Sequence, residues 1–215
     1  MTTSEKLDEK PRSADDKLRE SVSTVVGRLQ TGYLSDRREF DVTARLARLR
    51  RAITSEPGSV PAVWQDTIGS IEPELLNRDD TPSQYEYAAH SAITLFALHQ
   101  QAASAGMHKR GVSLGRAAHQ LGRHTANEEA VRKRFMTLAT SDSREELLHH
   151  LRGLITQFRS AGVPLDYGRL AVDLRRLQTP SAADSVRLAW GRDYYRTSHQ
   201  ESNAASVDAA ESENS

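Results

Sequence analysis

Residues 111–115 read GVSLG. The pattern G-x-S-x-G is that of a nucleophile elbow, with Ser113 in the nucleophile's place and histidines following at 119 and 124. An elbow needs a buried strand before the serine, because the sharp strand-to-helix turn is what lifts the hydroxyl toward its base. The residues before GVSLG are QQAASAGMHKR, a helix end and a basic turn. No run anywhere alternates apolar and polar residues with β-branched character, so no sheet carries an acid and a histidine into place. Gly111 is therefore expected to allow a turn, and Ser113 to cap the helix that follows.

Two further sets of side chains have chemical spacing. Glu145/His149 and Glu146/His150 are i, i+4 pairs able to chelate, but no third or fourth ligand is suitably spaced and HExxH is absent. There is no cysteine, which excludes disulfides, thiolate nucleophiles and thiolate metal sites. The chain reads as non-catalytic, with no metal and no cofactor.

The arginines are the third set. TARLARLRRA, residues 43–52, places Arg45, Arg48, Arg50 and Arg51 around a helix whose apolar residues span only about 60°. The one acid on that helix is Asp41, whereas a solvated helix usually interleaves Glu with Arg. A second cluster, Lys109, Arg110, Arg116, Arg123, Arg132, Lys133 and Arg134, is opposed only by Glu128 and Glu129. Cations without local acids point to a polyanion. Trp64, Trp190, Tyr194 and Tyr195 are the aromatics able to stack on bases, although Trp190, at helical spacing beside Val186, reads as core.

The elements that carry these residues all have helical period. Leu18, Val22, Val25 and Leu29 mark one helix, and Val42, Leu46, Leu49 and Ile53 the next. PAVWQDTI and the stretch from Ile71 to Leu76 predict short helices, and residues 83–105 a long central one. Thr125-Ala-Asn-Glu128 and Ser143-Arg-Glu-Glu146 read as capping boxes. The second opens a helix with Leu147, Leu148, Leu151, Leu154, Ile155 and Phe158 on one face. Thr179-Pro180 starts the last helix. The expected fold is all-α, with about nine or ten helices in two small bundles, 15–106 and 107–197, meeting near 106–111.

Residues 1–14 and 198–215 are too poor in aliphatics to offset ordering entropy and are expected to be disordered. A net charge of zero conceals a division. Residues 27–196 carry 24 basic and 19 acidic side chains, while 197–215 carry four acids and no Lys or Arg. No apolar run suits a signal peptide or a membrane span, so a cytoplasmic location is expected.

ARLRRA (47–52), VPAVW (60–64), YAAHSAITLFALHQ (87–100), GVSLGRAAHQLGR (111–123), LLHHLRGLITQFRSAGVPLDYGRLAVDLRRL (147–177) and VRLAWGRDYYR (186–196) occur in this order. Together they resemble the small, CasB-type subunit of the type I-E CRISPR surveillance complex, Cascade. The resemblance implies two helical bundles without catalysis of their own. It also implies a pair of such subunits along the belly of Cascade, contacting its backbone subunits. Their basic faces would help to hold the crRNA–target duplex and the displaced DNA strand. By position, Arg50 and Arg51 match the family's paired arginines, and Arg116 and Arg123 those of the GR-containing motif. HTANEEA (124–130) is an insertion relative to that pattern, and the acidic tail has no counterpart in it. A helical DNA-binding regulator and a purely structural scaffold are the other readings of the same arginines.

Overall fold

Ser13 opens α1 (Ala14–Leu34) by accepting from the Asp16 amide, while Asp16 reaches back to Ser13 in a capping box. The computed structural model describes residues 12–35 and 40–212, with side chains through residue 196 apart from residue 40. The expected N-terminal tail thus lies almost wholly outside the described residues. After α1 come α2 (Phe40–Arg51), α3 (Gln84–His99), α4 (Leu114–Thr125), α5 (Glu128–Ala139), α6 (Arg144–Ala161), α7 (Tyr167–Leu177) and α8 (Pro180–Ser212). The fold is all-α. Among the described residues the one β feature is an isolated parallel bridge between His108 and Leu165, and no helix is long and apolar enough to cross a membrane.

Several expected elements change form. PAVWQDTI and the stretch near Ile71 become 3-10 turns at Pro61–Asp66, Ile68–Ser70 and Pro73–Leu75. Each is too short to propagate an α-helix, and prolines open the first and the third. α3 stops at His99 rather than residue 105. The fully buried Gln100 ends it: its Nε2 donates to the Ala105 carbonyl at 2.9 Å and its Oε1 accepts from the Met107 amide at 3.0 Å. Ala102, at φ 58°, then turns the chain. Thr125 is the last residue of α4 rather than a cap; Asn127 caps α5, accepting from the Ala130 amide. Ser143 does cap α6, but Glu146 bonds the Asp142 amide instead of closing the box on Ser143. α8 continues through residues 198–212, the stretch expected to be disordered. Its Ala-, Ser- and Glu-rich sequence extends a helix already nucleated by packed residues, which costs less than starting one.

One contiguous cluster of buried residues runs through both halves, so a boundary at 106–111 does not divide the core. α1 lies along α7, α3 against α6 and α7, and α4 across α8. Two glycines set these approaches. A Cβ at Gly168 would strike Ser23 and the Arg19 carbonyl, and one at Gly115 would strike the Trp190 carbonyl. The second glycine of the apparent elbow is thus a helix-crossing residue.

The connector between α3 and α4 is tied down from Met107 to Val112. His108 N–H donates to Gln30 at 2.7 Å, Lys109 N–H to the Leu165 carbonyl at 3.1 Å and Gly111 N–H to Asp166 at 2.8 Å. In return, Leu165 N–H donates to Met107 and Asp166 N–H to Val112. Burial pushes the Asp166 carboxyl up, but the amides of Arg169 and Gly111, with Arg19, hold it net below the usual range.

Candidate nucleic-acid interface

Ser113 is buried and its hydroxyl accepts from the Arg116 amide at 3.3 Å, as a helix cap does. A turn with Gly111 at φ 84° precedes it, and no strand lies among the described residues. The arrangement presents Arg116 outward and offers Ser113 no elbow. Ser113→Ala is expected to lower stability by about 1 kcal/mol through loss of the cap and to leave nucleic-acid binding unchanged. Urea titration and a binding isotherm on one preparation test this. A binding defect without a stability change would return a chemical role to the hydroxyl.

The expected cations fall into three outward groups and a remainder already paired with carboxylates. Lys109, Arg110 and Arg116 line a shallow depression of ≈ 300 Å³ with Gln120, His124 and Gly162–Pro164. Arg123 is exposed and follows Arg116 by seven residues, so both lie in one row along α4. His124 donates from Nδ1 to the Gln120 carbonyl at 2.8 Å. Arg110 meets Glu20 at 2.8 Å, with both side chains largely exposed. Such a surface pair is worth about 1 kcal/mol or less, so a phosphate can displace Glu20.

The second group joins Arg50 and Arg51 at the end of α2 to Arg159 near the end of α6. Desolvation lowers the Arg50 guanidinium from its usual value, and the charges of Arg51 and Arg159 add to the effect. Arg159 Nη1 donates to Gln101 at 2.9 Å. One turn beyond Arg159 are Gly162 and Val163, which line the first depression. The end of α6 therefore adjoins both groups.

The third group is the groove between α5 and α6. Lys133 and Arg134 line it with His149, His150 and Gln157, in a volume of ≈ 460 Å³. Among the described residues no three His, Asp or Glu side chains converge as a metal would need. His150 lies 3.6 Å from Glu146.

The paired remainder corrects the reading that these arginines lack acids. Arg45 is largely buried and bonds the buried Asp66, with Nε–Oδ2 at 3.1 Å. Asp66 comes from the 3-10 segment after α2, so no local pattern reveals the pair. Arg48 is 3.8 Å from Asp41. Arg132 is held bidentately by Glu129 at 2.8 and 3.1 Å. Among the described residues Arg50, Arg51, Lys109, Arg116 and Lys133 have no carboxylate partner. Trp190 is core and donates to Asp173 at 2.7 Å, whereas Trp64 and Tyr195 are exposed.

Sequence reading missed α6 as the common support. Arg152 and Arg159 are seven residues apart on it and share a face. The available signal was that amphipathic helix's polar side, where His149, Arg152 and Arg159 recur at helical spacing.

A family model described as CRISPR-associated protein Cse2 matches residues 45–195. CasB from Thermobifida fusca shares 33% identity and a TM-score of 0.67, covering 82% of this chain and 97% of its own. CasB from Thermus thermophilus shares 26% identity and a TM-score of 0.60, covering 82% and 97%. A chain of a CRISPR RNA-guided surveillance complex shares the fold at 19% identity and a TM-score of 0.61, covering 87% and 99%. No curated protein matches.

Proposed function

The chain belongs to the CRISPR-associated Cse2 family, and from that membership we propose that it is a non-catalytic small subunit of a cytoplasmic, type I-E Cascade effector complex. It binds the crRNA–target duplex and the displaced DNA strand through backbone contacts, stabilises the R-loop in antiviral defence, and works beside other Cascade subunits and a second copy of itself. The observation that carries the reading is the meeting of cations at the end of α6. Arg50 and Arg51 come from α2, Arg159 from α6, and Lys109 and Arg116 from the connector and α4. Sites so far apart in sequence and so free of carboxylates suit a phosphate track. In such a complex the guide reads sequence, and the protein tips a nearly balanced strand exchange.

The isolated protein is expected to bind single-stranded RNA and DNA at about micromolar Kd or weaker, with a steep salt dependence. Tight recognition of one duplex sequence would identify a regulator instead, and no binding at moderate salt a scaffold. Arg51→Glu with Arg116→Glu joins two of the groups at exposed positions. The pair is expected to leave the melting temperature unchanged, to reduce the single-strand salt slope by about 1.4, and to weaken R-loop formation by reconstituted Cascade at least tenfold. Normal R-loops in a stable double variant would overturn the proposal.

A further inference from the structure

We propose that the groove between α5 and α6 receives the acidic C-terminal end of α8 from a second copy of this chain, so that copies join head to tail. Ala130, Lys133 and Arg134 line one wall of the groove, and His150, Gly153 and Gln157 the other. Each wall is a row of residues three to four apart along its helix, so the two rows bound a trough that a third helix can fill. A Cβ added at Gly153 would meet nothing within 4 Å, which leaves the floor of the trough open.

The trough is cationic. Lys133 and Arg134 are exposed and have no carboxylate partner among the described residues. The acids on the same two helices are directed elsewhere. Glu128 packs at Gly122, Glu129 holds Arg132, and Glu145 lines the neighbouring pocket between α3 and α6. Glu146 accepts from the Asp142 amide at 3.0 Å and lies 3.6 Å from His150.

The complementary surface is in the same sequence. Residues 197–215 carry four acids and no Lys or Arg, and α8 continues through Ser212. On that helix Glu201, Ala204, Asp208 and Glu211 fall at i, i+3, i+7 and i+10, within about 80° of arc. The result is an acidic stripe about 15 Å long, with a small residue, Ala204, between its acids. Alanine facing Gly153 lets two helices approach closely, and the stripe then lies along Lys133 and Arg134. This is the helix-in-groove mode of recognition.

A chain cannot fill its own groove while α8 is continuous. Arg187 donates to the Ala139 carbonyl at the end of α5, Tyr194 stacks on Phe135 at 5.4 Å, and Tyr195 is beside Arg132. As α8 advances it therefore passes α5 from its end toward its start. Residues 201–211 lie about 9–24 Å beyond Tyr195 on that course. A stripe and a trough on different parts of one chain make a heterologous contact, which leaves one of each unused in a pair.

The inference gives a surface to the second copy named in the proposed function, and it is tested on the chain alone. A fluorescein-labelled peptide of residues 197–215, titrated with the full chain, is expected to bind saturably. Lys133→Glu with Arg134→Glu should weaken it about tenfold, and a peptide carrying Glu201→Lys, Asp208→Lys and Glu211→Lys should recover the loss on that reversed groove. Gly153→Leu favours the helix, so it should fold, yet it fills the trough. It is expected to weaken the peptide about tenfold while the salt slope for single-stranded DNA stays unchanged. In sedimentation velocity the full chain should self-associate with rising concentration, and the triple Lys variant should not. A scrambled peptide of equal charge binding as well as the parent, or full peptide binding to folded Gly153→Leu, would overturn the proposal. So would a groove that takes an oligonucleotide and no peptide. Loss of salt-steep strand binding with peptide binding intact would overturn only the phosphate track.

Discussion

Arg45→Ala is expected to destabilise the protein by about 3–5 kcal/mol, whereas Arg51→Ala, six residues on, should cost less than about 0.5 kcal/mol. Asp66 is 4% exposed, and its partner Arg45 is largely buried too. Removing the guanidinium leaves a carboxylate inside the protein with its main countercharge gone, and that desolvation is the large term. Arg51 is exposed and has no carboxylate partner among the described residues, so its removal leaves no buried group unmet. The two variants separate support from binding. Arg45→Ala should lose nucleic-acid affinity only in proportion to unfolded protein, while Arg51→Ala should lose it with the fold intact. Urea unfolding read by circular dichroism measures the first effect. A midpoint for Arg45→Ala equal to that of the parent would show that the Asp66 contact carries no stability.

The second large effect is acid lability. His99 closes α3 beneath α6 and α7, is fully buried, and its Nδ1 is 2.8 Å from the Tyr167 hydroxyl. Burial lowers its pKa from 6.5 to about 4, and burial lowers His90 and His108 as well. These rings are neutral in the fold and charge on unfolding. Their contribution is complete above pH 6.5 and is lost as pH falls through the folded values, toward about 4 for His99. That shift alone corresponds to about 3 kcal/mol. Asp173 acts in the other direction. Burial raises it to about 6, so its contribution is complete below pH 3.8 and is lost as pH rises through about 6. Stability should therefore drop between pH 6.5 and 4, with Asp173 partly offsetting the fall. Asp173→Asn keeps an acceptor for Trp190 and should make the protein more stable at pH 7 and its acid fall steeper. His99→Gln should make the fall shallower. Identical pH profiles for parent and His99→Gln would rule out this origin.

What was legible in the sequence was whatever depends on neighbours a few residues away. Ser113 and Ser143 cap helices because a serine before an apolar period suits little else. The apolar rows of α1, α2 and α6 are buried where their spacing puts them. The arginines were legible as clusters but not as faces. Arg45 turns inward toward a residue in the 3-10 segment that sequence suggested was α-helical. Arg132, Lys133 and Arg134 separate because consecutive helical residues are about 100° apart, so Arg132 reaches Glu129 while the next two line the α5–α6 groove. That split was readable in principle. The approach of Arg159 to Arg50 was not, because it exists only once α2 and α6 have packed on α3.

The hydrogen-bonded connector between α3 and α4 changes how the energetics of binding divide. Loops that carry cations usually fluctuate and must freeze on a ligand, at about 1–2 kcal/mol of backbone entropy per residue. Here the amides of His108, Lys109 and Gly111 are already held by Gln30, Leu165 and Asp166. Their hydrogen exchange should be limited by opening of the core rather than by local fraying, and the ordering of Lys109 and Arg110 is largely complete before any phosphate arrives. Association with a nucleic-acid strand is then dominated by the entropy of released counterions, with little opposing backbone term from the protein.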